Sequence, residues 1–209
     1  EVKKEPDNYI KGADKFPLEK GRWGYIQASI QNFLKIDTKK CYSKGNILKE
    51  FEPCLLRKGV ENNLKQSFIA CIADLFEDDK KIITVKDMKK KIIEAVDIDK
   101  FIKYQNGNLI SAFKSDDIGL TKITKYKDSQ IYKSLDLKSD EHNLYMKNVT
   151  SSYENFINYL KDDNIAIDHT YIWDIICQPN EKLLPGGLNL IILEIVEDDI
   201  TDNVELICP

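Results

Sequence analysis

The sequence predicts an α+β fold, mostly helical with a small antiparallel β element near the C-terminus. Two observations carry this. Apolar residues recur at three- and four-residue steps along several stretches, the spacing of amphipathic helices. Only Leu188–Val196 is near-continuously apolar over strand length, and a second strand-like run, Val204–Cys208, follows it. At 209 residues, with 42% hydrophobic and 10% aromatic content, the chain can bury a substantial core and is not of disordered composition.

Residues 1–20 read as an extended arm, polar and containing Pro6 and Pro17, with Tyr9 and Ile10 as anchors. Residues 21–177 read as a helical core domain. Residues 178–209 read as a β-hairpin segment that completes a sheet with residues outside this chain, because two strands alone are marginal. The chain is accordingly expected to be a piece of a longer one.

Within the core, Gly21-Arg22-Trp23-Gly24-Tyr25 is a turn into a helix carrying Ile26, Ile30, Phe33 and Leu34 on one face, with Trp23 as a core plug. Asp37–Asn46 is a basic loop. Glu52–Phe76 is the expected centre: a loop through Pro53, Arg57 and Gly59, then a helix from Leu64 with Phe68, Ile72, Leu75 and Phe76 at helical spacing. Phe68 and Ile72 are expected to be almost fully buried. Thr84-x-x-Asp87 resembles a capping box, opening a helix with Val85, Met88, Ile92 and Val96 inside. Asp97 caps a short helix. Gln105-Asn106-Gly107-Asn108 is a turn. Leu109–Phe113 is a short helical piece, and a long helix runs from about Ser139 to Leu160. Asp168-His169-Thr170 starts the last helix, which Pro179 ends. Leu188–Val196 and Val204–Cys208 should pair antiparallel, since the acidic link is too short for a crossover.

The net charge of -4 does not mark a nucleic-acid binder, but its distribution is uneven. Residues 178–209 carry -6 and the remainder +2. Cys41, Cys54, Cys71, Cys177 and Cys208 form no CxxC pair and lie far from His142 and His169 in sequence. They are expected to be reduced thiols of a cytosolic protein, with neither disulfide nor zinc. No apolar run reaches membrane-spanning length, and there is no signal peptide.

No catalytic constellation appears. Pro185-Gly186-Gly187 lacks the lysine and spacing of a phosphate-binding loop, and no GxSxG is present. The terminal acids suggest a metal-dependent nuclease core, yet Glu194 and Glu205 lack the strand lysine that such chemistry wants. Catalytic residues, bound metal and cofactors are therefore not expected. The basic residues are more suggestive. Arg22, Lys39, Lys40, Lys44, Arg57, Lys58, Lys86, Lys89 and Lys90 all lie in the first half, and on one face they would neutralise several phosphates. Lysine on a helix surface is more plainly a solubilising residue, and Arg57 more plainly a loop arginine.

Four segments together carry a resemblance: GRWGY leading into IQNFL, CLLRKGVENNLKQSFIACIADLF, FIKYQNGNLISAF and NLIILEIVEDDITDNVELICP. This pattern resembles the large subunit of the viral early transcription factor of poxviruses and other nucleocytoplasmic large DNA viruses, most nearly the giant-virus versions. The resemblance covers most of the chain but only part of a full subunit. It implies a heterodimer with a helicase-like ATPase subunit, binding of double-stranded promoter DNA, recruitment of viral RNA polymerase, and location in the host cytoplasm and virion. It implies no catalytic residue here and assigns no DNA-contacting side chain. On charge and loop placement alone, Arg57 is the first candidate for reading base edges or a narrow groove, and Arg22 the second. The alternatives are a module that docks the ATPase subunit or polymerase without touching DNA and, third, a nuclease-like domain.

Overall fold

The computed structural model describes residues 9–43, 46–78, 81–195 and 203–207. The α+β expectation holds: α-helices dominate, and three two-stranded antiparallel sheets accompany them.

The N-terminal part is a small β unit. β1 (Trp23–Tyr25) pairs antiparallel with β4 (Leu56–Lys58), placing Gly24 opposite Arg57. β2 (Tyr42–Ser43) pairs with β3 (Ile47–Leu48). The arm is woven into this unit. Ile10 N donates to the Asn46 carbonyl at 2.9 Å, Lys11 N to the Trp23 carbonyl at 2.9 Å, and Tyr25 N to the Lys11 carbonyl at 3.0 Å. Ile10 is the anchor, 1% exposed. Two readings are corrected here. Trp23–Tyr25 is a strand rather than a turn, because its backbone partners lie in the arm and β4, although a helix does follow it. Trp23 is 42% exposed, lying under Lys58 instead of plugging the core. Helix α1 (Ala28–Leu34) follows, with Phe33 and Leu34 largely exposed.

The helical core runs from α2 (Ser67–Asp74) to α8 (Trp173–Cys177). Its centre is α7 (Asp140–Lys161), not the expected 52–76 stretch. Met146, Val149, Phe156 and Leu160 of α7 are at most 1% exposed. Around Phe156 pack Phe101, at 5.4 Å between ring centroids, and Phe113, at 5.0 Å. Helix α2 buries Ile69, Ala70, Ile72 and Ala73 against α3 (Val85–Ala95). The reading of its face is half right: Ile72 is buried, Phe68 only half-buried, and Leu64 98% exposed. The cause is local. The Asn63 carboxamide oxygen accepts from the amides of Lys65 and Gln66, so a turn occupies the place of the expected first helical turn.

Helix α3 begins at the expected capping box, with Thr84 Oγ1 accepting from Asp87 N at 3.1 Å and Asp87 Oδ2 from Thr84 N at 3.2 Å. Asp97 caps α4 (Ile98–Phe101), and α5 (Asn108–Ala112) follows the Gln105–Gly107 turn. A short α6 (Gln130–Ser134) had no sequence signal. β5 (Ile192–Ile195) and β6 (Val204–Ile207) pair antiparallel as expected and lie against α1. The hairpin thus neighbours α1, a helix without charged residues. Most acids of its turn fall outside the described residues.

Candidate nucleic-acid interface

The nine cations singled out in the sequence do not form one site. Arg57 is a hub of the fold. Strand pairing with Gly24 turns its side chain back over the arm. Nε donates to the Tyr25 carbonyl at 2.7 Å, and Nη2 donates to the carbonyls of Gly12 at 2.9 Å, Ala13 at 3.2 Å and Lys15 at 2.8 Å. The guanidinium also stacks on Phe16, 3.9 Å from the ring centroid. Burial lowers its pKa from the ordinary value, against the opposing pull of Asp14. Gly24 has no side chain for a reason: a Cβ there would meet Leu18 at 2.9 Å and the guanidinium at 3.2 Å. A guanidinium bonded to four carbonyls is a structural clamp, so the geometry gives it a task other than reading base edges.

Lys89 is likewise internal. It is 4% exposed, donating to the Asp162 carbonyl at 2.8 Å and to Asp163 Oδ1 at 2.7 Å. It thereby caps the C-terminal end of α7, where a cation is favoured by the exposed carbonyls. It projects inward because it follows Met88 on the face that α3 turns toward α7. Lys58 pairs with Asp74 at 2.8 Å, and Arg22 is half-buried beside the arm. Lys44 lies outside the described residues.

Lys39, Lys40, Lys86 and Lys90 remain exposed and, among the described residues, outside every ion pair. Lys86 and Lys90 are one helical turn apart on α3. Lys39 and Lys40 sit on a 3-10 turn (Thr38–Cys41) that Asp37 caps by accepting from Lys39 N at 2.9 Å. Lys49 Nζ reaches the Lys40 carbonyl at 3.1 Å, bringing a third lysine beside them.

That turn is fixed by a disulfide between Cys41 and Cys54, whose Cα atoms are 5.6 Å apart. The expectation of reduced thiols fails at this pair. The β2–β3 hairpin folds a separation of 13 residues back on itself, a proximity that cysteine spacing does not reveal. Cys71 and Cys177 carry no disulfide. Among the described residues no group of three or more His, Cys, Asp or Glu side chains converges, and no helix is long and apolar enough to cross a membrane. Glu194 and Glu205 stand opposite each other across the hairpin, and among the described residues no third His, Cys, Asp or Glu joins them.

Sequence reasoning missed two clefts. One, about 530 Å³, lies between the arm, α1 and the 38–41 turn, lined by Tyr25, Tyr42, Asn32, Lys39 and Asn46 among others. Tyr25 is 5% exposed, its hydroxyl has no hydrogen-bond partner, and burial followed by the neighbouring Tyr42 raises its pKa. The other, about 620 Å³, lies beside Trp173 and His169. There Gln105 and Asn106 adopt left-handed backbone with φ of 49° and 53°. Asp174 holds them by accepting from Gln105 N at 2.6 Å, and Gln105 Nε2 donates to the Thr170 carbonyl. The amide-rich turn was visible in the sequence, but nothing there showed that it faces an indole.

Comparison with protein-family models, with known proteins and with solved structures returns no match for the chain.

Proposed function

We propose that this chain is a DNA-binding module of a viral early transcription initiation factor, gripping duplex promoter DNA through phosphate contacts. One observation carries the reading. Of the nine cations singled out, four stay exposed and outside every ion pair among the described residues, Lys39, Lys40, Lys86 and Lys90, and they sit on a disulfide-pinned turn and the capped helix α3. Cations held on rigid elements contact phosphates with little ordering cost. The resemblance to the early transcription factor large subunit supplies the biological setting: a helicase-like ATPase partner and recruitment of viral RNA polymerase. With Arg57 clamped inside the fold, the grip is positional, and sequence preference would come from duplex shape.

The test is a salt titration of duplex binding. Four phosphate contacts at about 0.9 released counterion each give roughly a hundredfold loss between about 50 and 200 mM salt. The double variant Lys86→Ala/Lys90→Ala should reduce the log–log slope by about 2. Absence of binding at low salt would overturn the reading.

A second reading has its own observation. Among the described residues the β5–β6 sheet has two strands, each with an edge that no described strand covers, and Ile191 beside it is 73% exposed and Leu206 on it 51%. Such edges accept a strand from a partner. Docking of the ATPase subunit or polymerase there is compatible with DNA held elsewhere.

A further inference from the structure

We infer that the cleft beside Trp173 binds a neutral saccharide, one sugar ring lying against the indole with its hydroxyls met by carboxamides. None of Lys39, Lys40, Lys86 and Lys90 lines this cleft, so the inference is independent of the DNA reading.

The starting point is the turn that forms part of the wall. Gln105 and Asn106 are consecutive non-glycine residues with left-handed backbone. That conformation is costly for a residue with a Cβ, and such residues visit it singly rather than in pairs. The two side chains have different tasks. Gln105 is tied down, its side chain donating to the Thr170 carbonyl and its backbone N–H to Asp174 Oδ2 at 2.6 Å. Asn106 is exposed, and its carboxamide bonds to no described residue. It does nothing for the fold that glycine would not do at lower cost, yet it lines the cleft. Asn108 and Gln178 bring two more exposed carboxamides, likewise without a bond to a described residue. Each carboxamide carries both a donor and an acceptor. Trp173 supplies the apolar surface. It is half-buried, its ring 6.1 Å from that of His169 and nearly perpendicular to it, and His169 meets Phe68 at 6.2 Å. The indole is therefore fixed at the cleft by its neighbours.

Charge then narrows the ligand. Besides His169, the charged side chains of the wall are Lys103 and Asp174, one of each sign, so the cleft favours neither an anion nor a cation. A wholly apolar ligand would desolvate the three carboxamides and give them nothing in return. A sugar ring meets both demands. Its C–H face covers the indole, and its neighbouring hydroxyls, each donor and acceptor, match the forked amides. The volume of about 620 Å³ is that of an ordinary ligand site.

The experiment titrates the full chain with glucose, mannose, galactose and N-acetylglucosamine, and with β1,4-linked trimers of glucose and of N-acetylglucosamine. The readout is the indole N–H resonances of Trp23 and Trp173. The Trp173 resonance should shift and the Trp23 resonance should not. A shift with single sugars would identify a free sugar as sufficient; a shift with a trimer alone would identify a glycan chain as the source. Asn106→Gly should weaken binding about tenfold through loss of one ligand hydrogen bond. Its melting temperature should hold or rise, because glycine relieves the left-handed backbone. Asn108→Ala, at the exposed first residue of α5, should weaken binding without lowering the melt. No shift at Trp173 with any of these sugars would overturn the inference, as would parental affinity in both variants. A lowered melting temperature in Asn106→Gly would give its carboxamide a task in the fold and also overturn it. A Trp173 shift with adenosine or a short DNA strand, and with no sugar, would assign the cleft to an unpaired base instead. Duplex binding enters none of these measurements, so its failure would overturn the proposed function alone.

Discussion

Lys89 and Lys90 are adjacent lysines of one helix, and alanine at each should have opposite consequences. Lys89→Ala removes two charge-assisted hydrogen bonds, to the Asp162 carbonyl and the Asp163 carboxylate. The loss is not that of a wholly orphaned pair. The Asp162 carbonyl keeps a bond from Gln66 Nε2 at 2.9 Å, and the Asp163 side chain, 69% exposed, recovers water. A hydrogen bond from a charged donor contributes about 1.5–3 kcal/mol, so a loss of about 2 kcal/mol is expected. In a chain of this size that lowers the melting temperature by about 4–8 °C. Lys90→Ala, at an exposed site, should stay within about 0.5 kcal/mol of the parent and weaken duplex binding instead. The Lys89 hydrogen bond holds the Asp163 carboxyl below its ordinary 3.8. The pair's contribution is therefore complete above that value and fades as pH falls below it, so the gap between parent and Lys89→Ala should narrow in acid. Thermal and urea denaturation of both variants, with anisotropy on duplex DNA, make the comparison. A parental midpoint for Lys89→Ala would refute the buried placement of its side chain.

Arg57→Lys should destabilise the β unit although charge is conserved, because a single ammonium cannot serve four carbonyls and stack on Phe16; equal melting of the two proteins would remove the clamp. Reduction of Cys41–Cys54 by a dithiol should lower the unfolding free energy by up to about 3 kcal/mol, the entropy of a loop near this length; unchanged melts with and without reductant would contradict the disulfide's contribution.

Much of the fold was legible because its signals are local. The Thr84–Asp87 box, the Asp97 cap, the periodicity of α7 and the Leu188–Ile207 hairpin each depend on neighbours within a few residues or one short turn. What failed depends on distant partners. Trp23 and Gly24 became a strand because the arm and β4 supply hydrogen bonds from 12 to 35 residues away in sequence. The Cys41–Cys54 bond needs the β2–β3 turn before the thiols can meet. The candidate site was the least legible part. A lysine that binds phosphate and one that caps a helix have the same sequence signature, and only burial separates Lys90 from Lys89. The Tyr25 hydroxyl gives no signal until the structure shows that nothing meets it.

The Arg57 hub also sets how the N-terminal segment can come apart. Its bonds to the carbonyls of Gly12, Ala13 and Lys15 interlock with those joining Ile10, Lys11 and Tyr25 to the neighbouring backbone. Gly12, Ala13 and Lys15 share one guanidinium nitrogen, while Ile10 and Lys11 are tied to the backbone of Asn46, Trp23 and Tyr25, so the residues are held together rather than one by one. The segment therefore opens as one cooperative unit with β1. A protease meeting it encounters a folded element whose rate of cleavage reports the opening equilibrium of the whole N-terminal sheet, not a loose tail.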